Sequence, residues 1–194
     1  MENFEIVDFR FASSNDAHDN KYELPHMWSR PYEYKYVTDF IKGAKLEAPK
    51  IHNSSWGFEG VHVIFRDELD EIGDCVHSDI VSSQFRDTYY YDITEENSEF
   101  ENKFDFVLNV SVIEHLPTPN DRINAFENLY KQVKLGGYMI LTFDYPTVNL
   151  NEFETLVGGK CVVGENVLNG SNSVIKNETY KGLNVVYLIL RKNE

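Results

Sequence analysis

Cysteine is nearly absent. Cys75 and Cys161 are the only two in 194 residues, and they form neither a CxxC pair nor a zinc-ligand spacing. No redox pair or structural zinc site is indicated, and a reducing, cytoplasmic setting is the expectation. Basic residues are also scarce: 18 Lys and Arg stand against 32 Asp and Glu, giving a formal charge of −14, and the basic residues form no cluster. Such a chain repels polyphosphate, so nucleic acid is not expected as a substrate or partner. The same charge is an ordinary route to solubility and by itself names no cationic partner. Nowhere does the sequence approach the roughly 20 consecutive apolar residues of a membrane span, and nothing near Met1 resembles a charged stretch followed by an apolar one. A soluble protein with no membrane partner is expected.

What the chain does have is core material. Hydrophobic residues make up 42%, with 13 Phe and 12 Tyr, enough to outweigh the entropy of ordering the backbone. The length exceeds the commonest domain size but is short for two, so a single domain over 1–194 is expected.

Residues 1–27 are polar, and the run from Ser13 to Asn20 has neither helical nor strand periodicity, so 1–27 reads as a loosely held arm able to order over a pocket. Region 28–43 reads as a helix: Pro31 suits its first turn, Tyr34, Val37 and Ile41 share a face, and Gly43 ends it. Residues 50–55 are a poor strand by composition. A helix follows with Val61, Ile64, Phe65, Leu69 and Ile72 on one side, and Gly73 closes it. Strands are expected at 75–79, 88–93 and 104–110, the last a nearly continuous apolar run typical of a buried parallel strand. Thr118, Pro119 and Asp121 cap a helix carrying Ile123, Phe126, Leu129, Tyr130 and Val133, with Gly136 and Gly137 ending it. Residues 138–143 form another strand, 150–157 a short helix, 158–184 an antiparallel excursion at the sheet's edge, and 185–190 a last strand. Strands alternating with helices imply an α/β fold with a mostly parallel sheet covered on both faces. Ligands in such sheets bind at the carboxyl ends of the strands.

The segments FDFVLNVSVIEHL at 104–116 and VKLGGYMIL at 133–141, separated by a helix, resemble the class I S-adenosylmethionine-dependent methyltransferases. The order of elements from about residue 50 to 145, half of the chain, follows that family. The resemblance implies a Rossmann-like sheet with an antiparallel C-terminal strand, S-adenosylmethionine as cofactor, and S-adenosylhomocysteine as product. It also implies a cofactor turn after the first parallel strand, with an acidic residue and a GxGxG pattern. Here Asn53 stands at the acidic position, Ser55 at the first glycine, Gly57 at the second and Glu59 at the third, with Gly60 one place late and Ser54 in the same turn. This departure leaves open a plain strand-to-helix turn.

Carried over residue by residue, the resemblance puts Asp79 on the ribose hydroxyls, Asp92 on the adenine amine and Ile93 against the adenine ring. The alternatives are a loop aspartate and an aspartate that begins a turn. Val110 and Ser111 border the methionine portion, and His115 is the candidate general base because an imidazole titrates near neutral pH; scaffold is its alternative. Arg30 matches a place where a guanidinium can pair with the methionine carboxylate, against the reading of a surface charge. Rings attract a sulfonium, a role open to Trp28, Tyr34 or Trp56, as is ordinary packing. Some members bind a divalent metal through Glu-x-x-Glu-His, but Ser111 replaces the first glutamate, so no obligatory metal is expected.

The expected function is methyl transfer to an oxygen or nitrogen of a small molecule or sugar. Two alternatives come from other classes. A nucleotide-dependent oxidoreductase needs GxGxxG opening the first helix, which 56–61 lack. A non-catalytic binding or scaffold protein is compatible with the altered glycine turn.

Overall fold

An uninterrupted apolar segment survives in water only when both its faces are covered. Phe104–Val110 meets that demand as the middle strand of a seven-stranded sheet, with every residue but Asp105 buried. The computed structural model describes residues 3–23, 28–55, 60–81, 87–171 and 178–193. In chain order the elements are β1 (Phe4–Phe11), α1 (Arg30–Gly43), β2 (Lys50–Asn53), α2 (Val61–Ile72), β3 (Asp74–Asp79), β4 (Tyr89–Tyr90), β5 (Phe104–Val110), α3 (Pro119–Gln132), β6 (Val133–Tyr145), α4 (Leu150–Val157) and β7 (Asn184–Lys192). They assemble in the order β1-β7-β6-β5-β2-β3-β4. The five strands from β4 to β6 are parallel, while β7 runs antiparallel to β6 and β1 antiparallel to β7. The expected α/β, Rossmann-like, mostly parallel sheet with an antiparallel C-terminal strand is what the chain forms.

Helices cover both faces. On one, Tyr34, Val37 and Ile41 of α1 and Phe65 and Leu69 of α2 pack over Phe106, Leu108, Ile140 and Ile189. On the other, Phe126 and Leu129 of α3 and Phe153 of α4 pack over Val107, Leu141, Phe143 and Leu188. Each such buried side chain contributes about 1.5–3 kcal/mol. Asp105 ties three strands together at their amino ends, accepting the Lys50 amide at 2.8 Å and the Lys134 ammonium at 2.9 Å. His52 explains why the polar sequence of β2 is a core strand. Its Nδ1 donates to Gln132 Oε1 at 2.6 Å, its Nε2 accepts from Ser78 Oγ at 2.8 Å, and burial pushes the imidazole down to about 4. The ring is therefore neutral and joins β2 to α3 and β3.

Five expectations change. The arm at 1–27 contains β1, an edge strand paired along its length with β7. Its alternation is hidden because the register shifts between Ile6 and Asp8, so that Phe4 and Ile6 before the shift and Phe9 and Phe11 after it all pack on the same core. Gly136 and Gly137 do not end α3, which stops at Gln132; they lie within β6, where Gly136 has φ +78° and a Cβ on Gly137 would stand 2.8 Å from the Asp105 carbonyl. Strand 88–93 shortens to Tyr89–Tyr90 because Asp92 turns the chain, its carbonyl accepting the Glu95 amide at 3.0 Å. Gly73 does follow α2, but with extended φ −162°, and what requires glycine there is space: a Cβ would lie 2.2 Å from the Pro49 carbonyl oxygen. In its described part the excursion expected to be antiparallel is mixed: Val162 bridges Arg10 of β1 in parallel, exchanging backbone hydrogen bonds with Phe9 and Phe11, while Val167 bridges Ser13 and Asn169 bridges Asn184 antiparallel.

This packing predicts unequal glycines. Gly73→Ala should lose about 1–3 kcal/mol of stability through overpacking. Gly43→Ala, at an exposed helix end with nothing within 4 Å of the added carbon, should stay within about 0.5 kcal/mol of the parent. Urea unfolding of both variants measures the contrast.

Candidate active site

At the carboxyl end of β5 the chain leaves the sheet through Ser111, whose φ of +48° lies in the left-handed region that a serine adopts only at some cost. Two hydrogen bonds hold it there: its amide donates to the Thr142 carbonyl at 2.9 Å, and its Oγ donates to Glu33 at 2.6 Å. Asn109 Oδ1 then accepts the Ile113 amide at 3.2 Å, starting a 3-10 turn over Ile113–His115. This turn divides the end of the sheet into two cavities, and His115 lines both.

The larger cavity holds about 340 Å³. Ser54 enters it from the end of β2, Asp79 and Ile80 from the end of β3, and Asp92 and Ile93 from the turn after β4. Ser54 is fixed by donating to the Leu108 carbonyl at 2.7 Å and accepting from Asn109 at 3.1 Å. Asp79 is half-buried; burial raises its carboxyl above the usual range, although Oδ1 accepts the Val81 amide at 3.0 Å. Asp92 Oδ1 accepts both the amide and the hydroxyl of Thr94, at 2.9 and 2.7 Å. It thus begins a turn and also lines the cavity.

The smaller cavity, of about 140 Å³, lies between α1, β6 and the turn after β5. Arg30 lines it and pairs with Glu33, which is wholly buried behind the wall. Burial alone raises a carboxyl, but Arg30 and the hydroxyls of Ser111, Ser29 and Thr142 hold Glu33 below its ordinary value. Two acids that line the cavity are in the opposite condition. Burial and the neighbouring Asp144 push Glu114 up to about 8, and burial and Glu33 push Asp144 up to about 7. Among the described residues, neither carboxyl oxygen of Glu114 has a hydrogen-bond partner in another residue, nor has Asp144 Oδ1. Trp28 and Tyr180 wall the chamber, with ring centroids 6.4 Å apart. His115 is exposed on the rim; partial burial and the Arg30 charge lower its imidazole, so the ring is neutral at neutral pH.

Of the residues singled out in the sequence, Ser54, Asp79, Asp92, Ile93 and His115 come together in the larger cavity, and Arg30, Ser111 and Trp28 line the smaller one with His115. Asn53 and Ser55 line neither. Asn53 Oδ1 accepts from Ser55 Oγ at 2.8 Å and its amide nitrogen meets His77 at 3.2 Å. Val110 is buried in the apolar layer under α1 and α2. Tyr34 stacks on Phe65 at 3.9 Å instead of facing a cavity. Gly57, Trp56 and Glu59 lie outside the described residues. Glu33, Glu114 and Asp144 were not legible as site residues. One signal was present: Glu33 stands four and eight residues before Val37 and Ile41, a carboxylate on the buried stripe of α1. Asp70, Cys75 and His77 bring ligand atoms within 4.8 Å of one another but line neither cavity. Burial pushes the Cys75 thiol up to about 12, so it is protonated.

No protein-family model matches this chain, and no curated protein does. Solved structures match it in fold. The 1,6-didemethyltoxoflavin-N1-methyltransferase of Burkholderia thailandensis, solved with 1,6-didemethyltoxoflavin and S-adenosylhomocysteine, is 11% identical over 90% of this chain and 84% of its own, with a TM-score of 0.57. N-methyltransferase NodS of Bradyrhizobium japonicum WM9 is 11% identical over 87% of this chain and 98% of its own, also with a TM-score of 0.57. The [4+2]-cyclase SpnF is 11% identical, covers 96% of this chain and 87% of its own, and has a TM-score of 0.54. The chain is structurally similar to class I S-adenosylmethionine-dependent methyltransferases, and at these identities the likeness is one of fold.

The raised acids set a pH dependence. The folded chain keeps protons on Glu114 and Asp144 that the unfolded chain releases, so their contribution is full in acid and lost as pH rises toward 7–8. Below about 6.5 the buried neutral His52 and His62, both held near 4, act in the opposite sense. The clean window is therefore pH 6.5–8, where stability should fall by on the order of 1–2 kcal/mol. Glu114→Gln should flatten that fall, as followed by urea midpoints across the window.

Proposed function

We propose that this chain is a single-domain, cytoplasmic methyltransferase that uses S-adenosylmethionine to methylate an oxygen or nitrogen of a small molecule or sugar. The observation that carries the reading is the pair of cavities at the carboxyl ends of β2, β3 and β5 that share His115. One suits a nucleoside and the other an acceptor, with a candidate base between them. Among the described residues no helix is long and apolar enough to cross a membrane, which agrees with a soluble acceptor.

The cavity lining fits the cofactor. About 340 Å³ lies within the roughly 300–1,000 Å³ of small-molecule sites. Three carboxylates line this cavity; Asp121 caps α3, and Asp79 and Asp92 share the cavity with the apolar Ile80, Ile93 and Val112, the combination that a ribose and a purine require. In this reading Asp79 accepts the ribose hydroxyls, Asp92 the exocyclic amine, and Ile93 packs on the ring. Ser54 lines the same cavity, whereas Ser111 and Arg30 line the smaller one and are held by Glu33. When bound, the cofactor supplies a methyl group already activated by its sulfonium, which leaves the protein chiefly the work of alignment. His115, neutral and on the shared rim, takes the acceptor's proton.

The glycine turn favours one competing reading. Ser55 and Glu59 stand where the family has glycines, and the cyclase SpnF shares the fold, so the fold alone does not dictate the reaction. A binding protein without turnover is the second reading.

Isothermal titration calorimetry with S-adenosylhomocysteine should show one site, weakened about tenfold or more, about 1.4 kcal/mol, in Asp79→Ala. His115→Ala should bind this product as the parent does while losing turnover. Absence of heat with both cofactor and product overturns the proposal, and tight product binding without turnover across an acceptor panel favours the second reading.

A further inference from the structure

The smaller cavity presents more unsatisfied acceptor oxygens than its own residues can use. Glu114, only 6% exposed, contributes two carboxyl oxygens without a partner in another residue, and Asp144 contributes a third. Against these three oxygens the chamber has one unpartnered donor, Nε of Arg30; the Nη1 of Arg30 pairs with Glu33, which also accepts from Ser29, Ser111 and Thr142. Buried acceptors of this kind are costly unless a ligand supplies donors. A hydroxyl offers one donor, whereas a primary ammonium offers three, arranged tetrahedrally, together with the positive charge that two carboxylates call for. The rest of the wall agrees: Trp28, 3% exposed, and Tyr180 line it with aromatic rings, whose faces attract cations. The cavity volume of about 140 Å³ is close to that of a site that encloses one six-membered ring, about 150 Å³.

We infer that this chamber binds an aliphatic amine through Glu114 and Asp144, and that the atom methylated is that nitrogen. The inference rests on the methyltransferase reading for its second half only. The proton balance follows from the groups facing the chamber: Arg30 and Glu33 from α1, Glu114 and His115 from the turn after β5, and Asp144 from β6. An entering ammonium displaces protons that the two acids hold in the empty chamber. The bound ammonium passes one proton by way of a carboxylate to the neutral His115 and exposes its lone pair. The nitrogen–carbon bond then forms as the carbon–sulfur bond breaks, and that electron pair stays on sulfur. Positive charge thereby returns to nitrogen as a methylammonium, and the proton on His115 leaves to water.

Cyclohexylamine and cyclohexanol are matched probes for this chamber, differing in charge and donor number. Calorimetric titration of each into the full chain, with and without saturating S-adenosylhomocysteine, should give at least about tenfold tighter binding of the amine. In buffers of different ionisation enthalpy at pH 7, amine binding should release protons. Glu114→Gln and Asp144→Asn should each reduce the preference to threefold or less, roughly, while S-adenosylhomocysteine affinity stays within about twofold. Equal affinity for amine and alcohol, no amine binding, or a preference untouched by both substitutions overturns the inference. If the amine behaves as expected but S-adenosylhomocysteine gives no heat, the chamber stands and the methyltransferase reading falls. If only S-adenosylhomocysteine binds, the reverse holds.

Discussion

Glu33 is wholly buried, and it stays charged because four donors from three parts of the chain converge on its two oxygens. Ser29 and Arg30 reach it from the start of α1, Ser111 from the end of β5 and Thr142 from β6. A hydrogen bond to a charged group contributes about 1.5–3 kcal/mol, comparable with the roughly 1–3 kcal/mol stored in a residue held in the left-handed region. The carboxylate can therefore hold Ser111 at its positive φ. That conformation sends the following turn over the sheet's end and places Glu114 inward and His115 on the rim. The clamp on α1 thus shapes both cavities.

The charge surplus of the sequence takes on meaning in this arrangement. A formal charge of −14 reads as a solvated surface, yet two carboxyls of the site, Glu33 and Glu114, are buried and a third, Asp144, is half-buried. Their states differ by partner: Glu33 is ionised against Arg30, whereas for Glu114 and Asp144 burial and neighbouring carboxylates outweigh the Arg30 charge and push them toward the neutral form. An acid kept protonated by its surroundings gives up its proton readily when a cation arrives. The same chamber is accordingly a source of instability near neutral pH and a receptor for positive charge.

Stability of the platform comes from elsewhere in the fold. The neutral His52 links β2 to α3 and β3, and Asp105 ties β2, β5 and β6 at the end away from the site. β1 covers the edge of β7, and the segment around Val162 in turn covers β1, so the sheet's hydrogen bonds continue into the peripheral chain. A rigid sheet with its unsatisfied groups gathered at the carboxyl ends is what allows the turns there to form a site.

Period and capping were legible in the residues themselves, because they depend on neighbours a few positions apart. β5, α1, α2 and α3 lie where their apolar spacing and their Pro, Thr and Asp signals put them. Motif order likewise brought Ser54, Asp79, Asp92, Ile93 and His115 to one end of the sheet. Features that depend on contacts across the chain were not legible. The bulge that reconciles the two halves of β1, the space demanded by Pro49 at Gly73, and the excursion of β6 at its glycines all arise from strands that meet only in the fold. The amine chamber is the extreme case: Glu33, Glu114 and Asp144 are separated by 81 and 30 positions. The sequence alone determined an α/β sheet and brought several candidate side chains to the carboxyl ends of its strands, since local periodicity and the order of elements carry both. Only tertiary packing decided which carboxylates lose their water and which keep a partner, because burial is a property of the assembled chain.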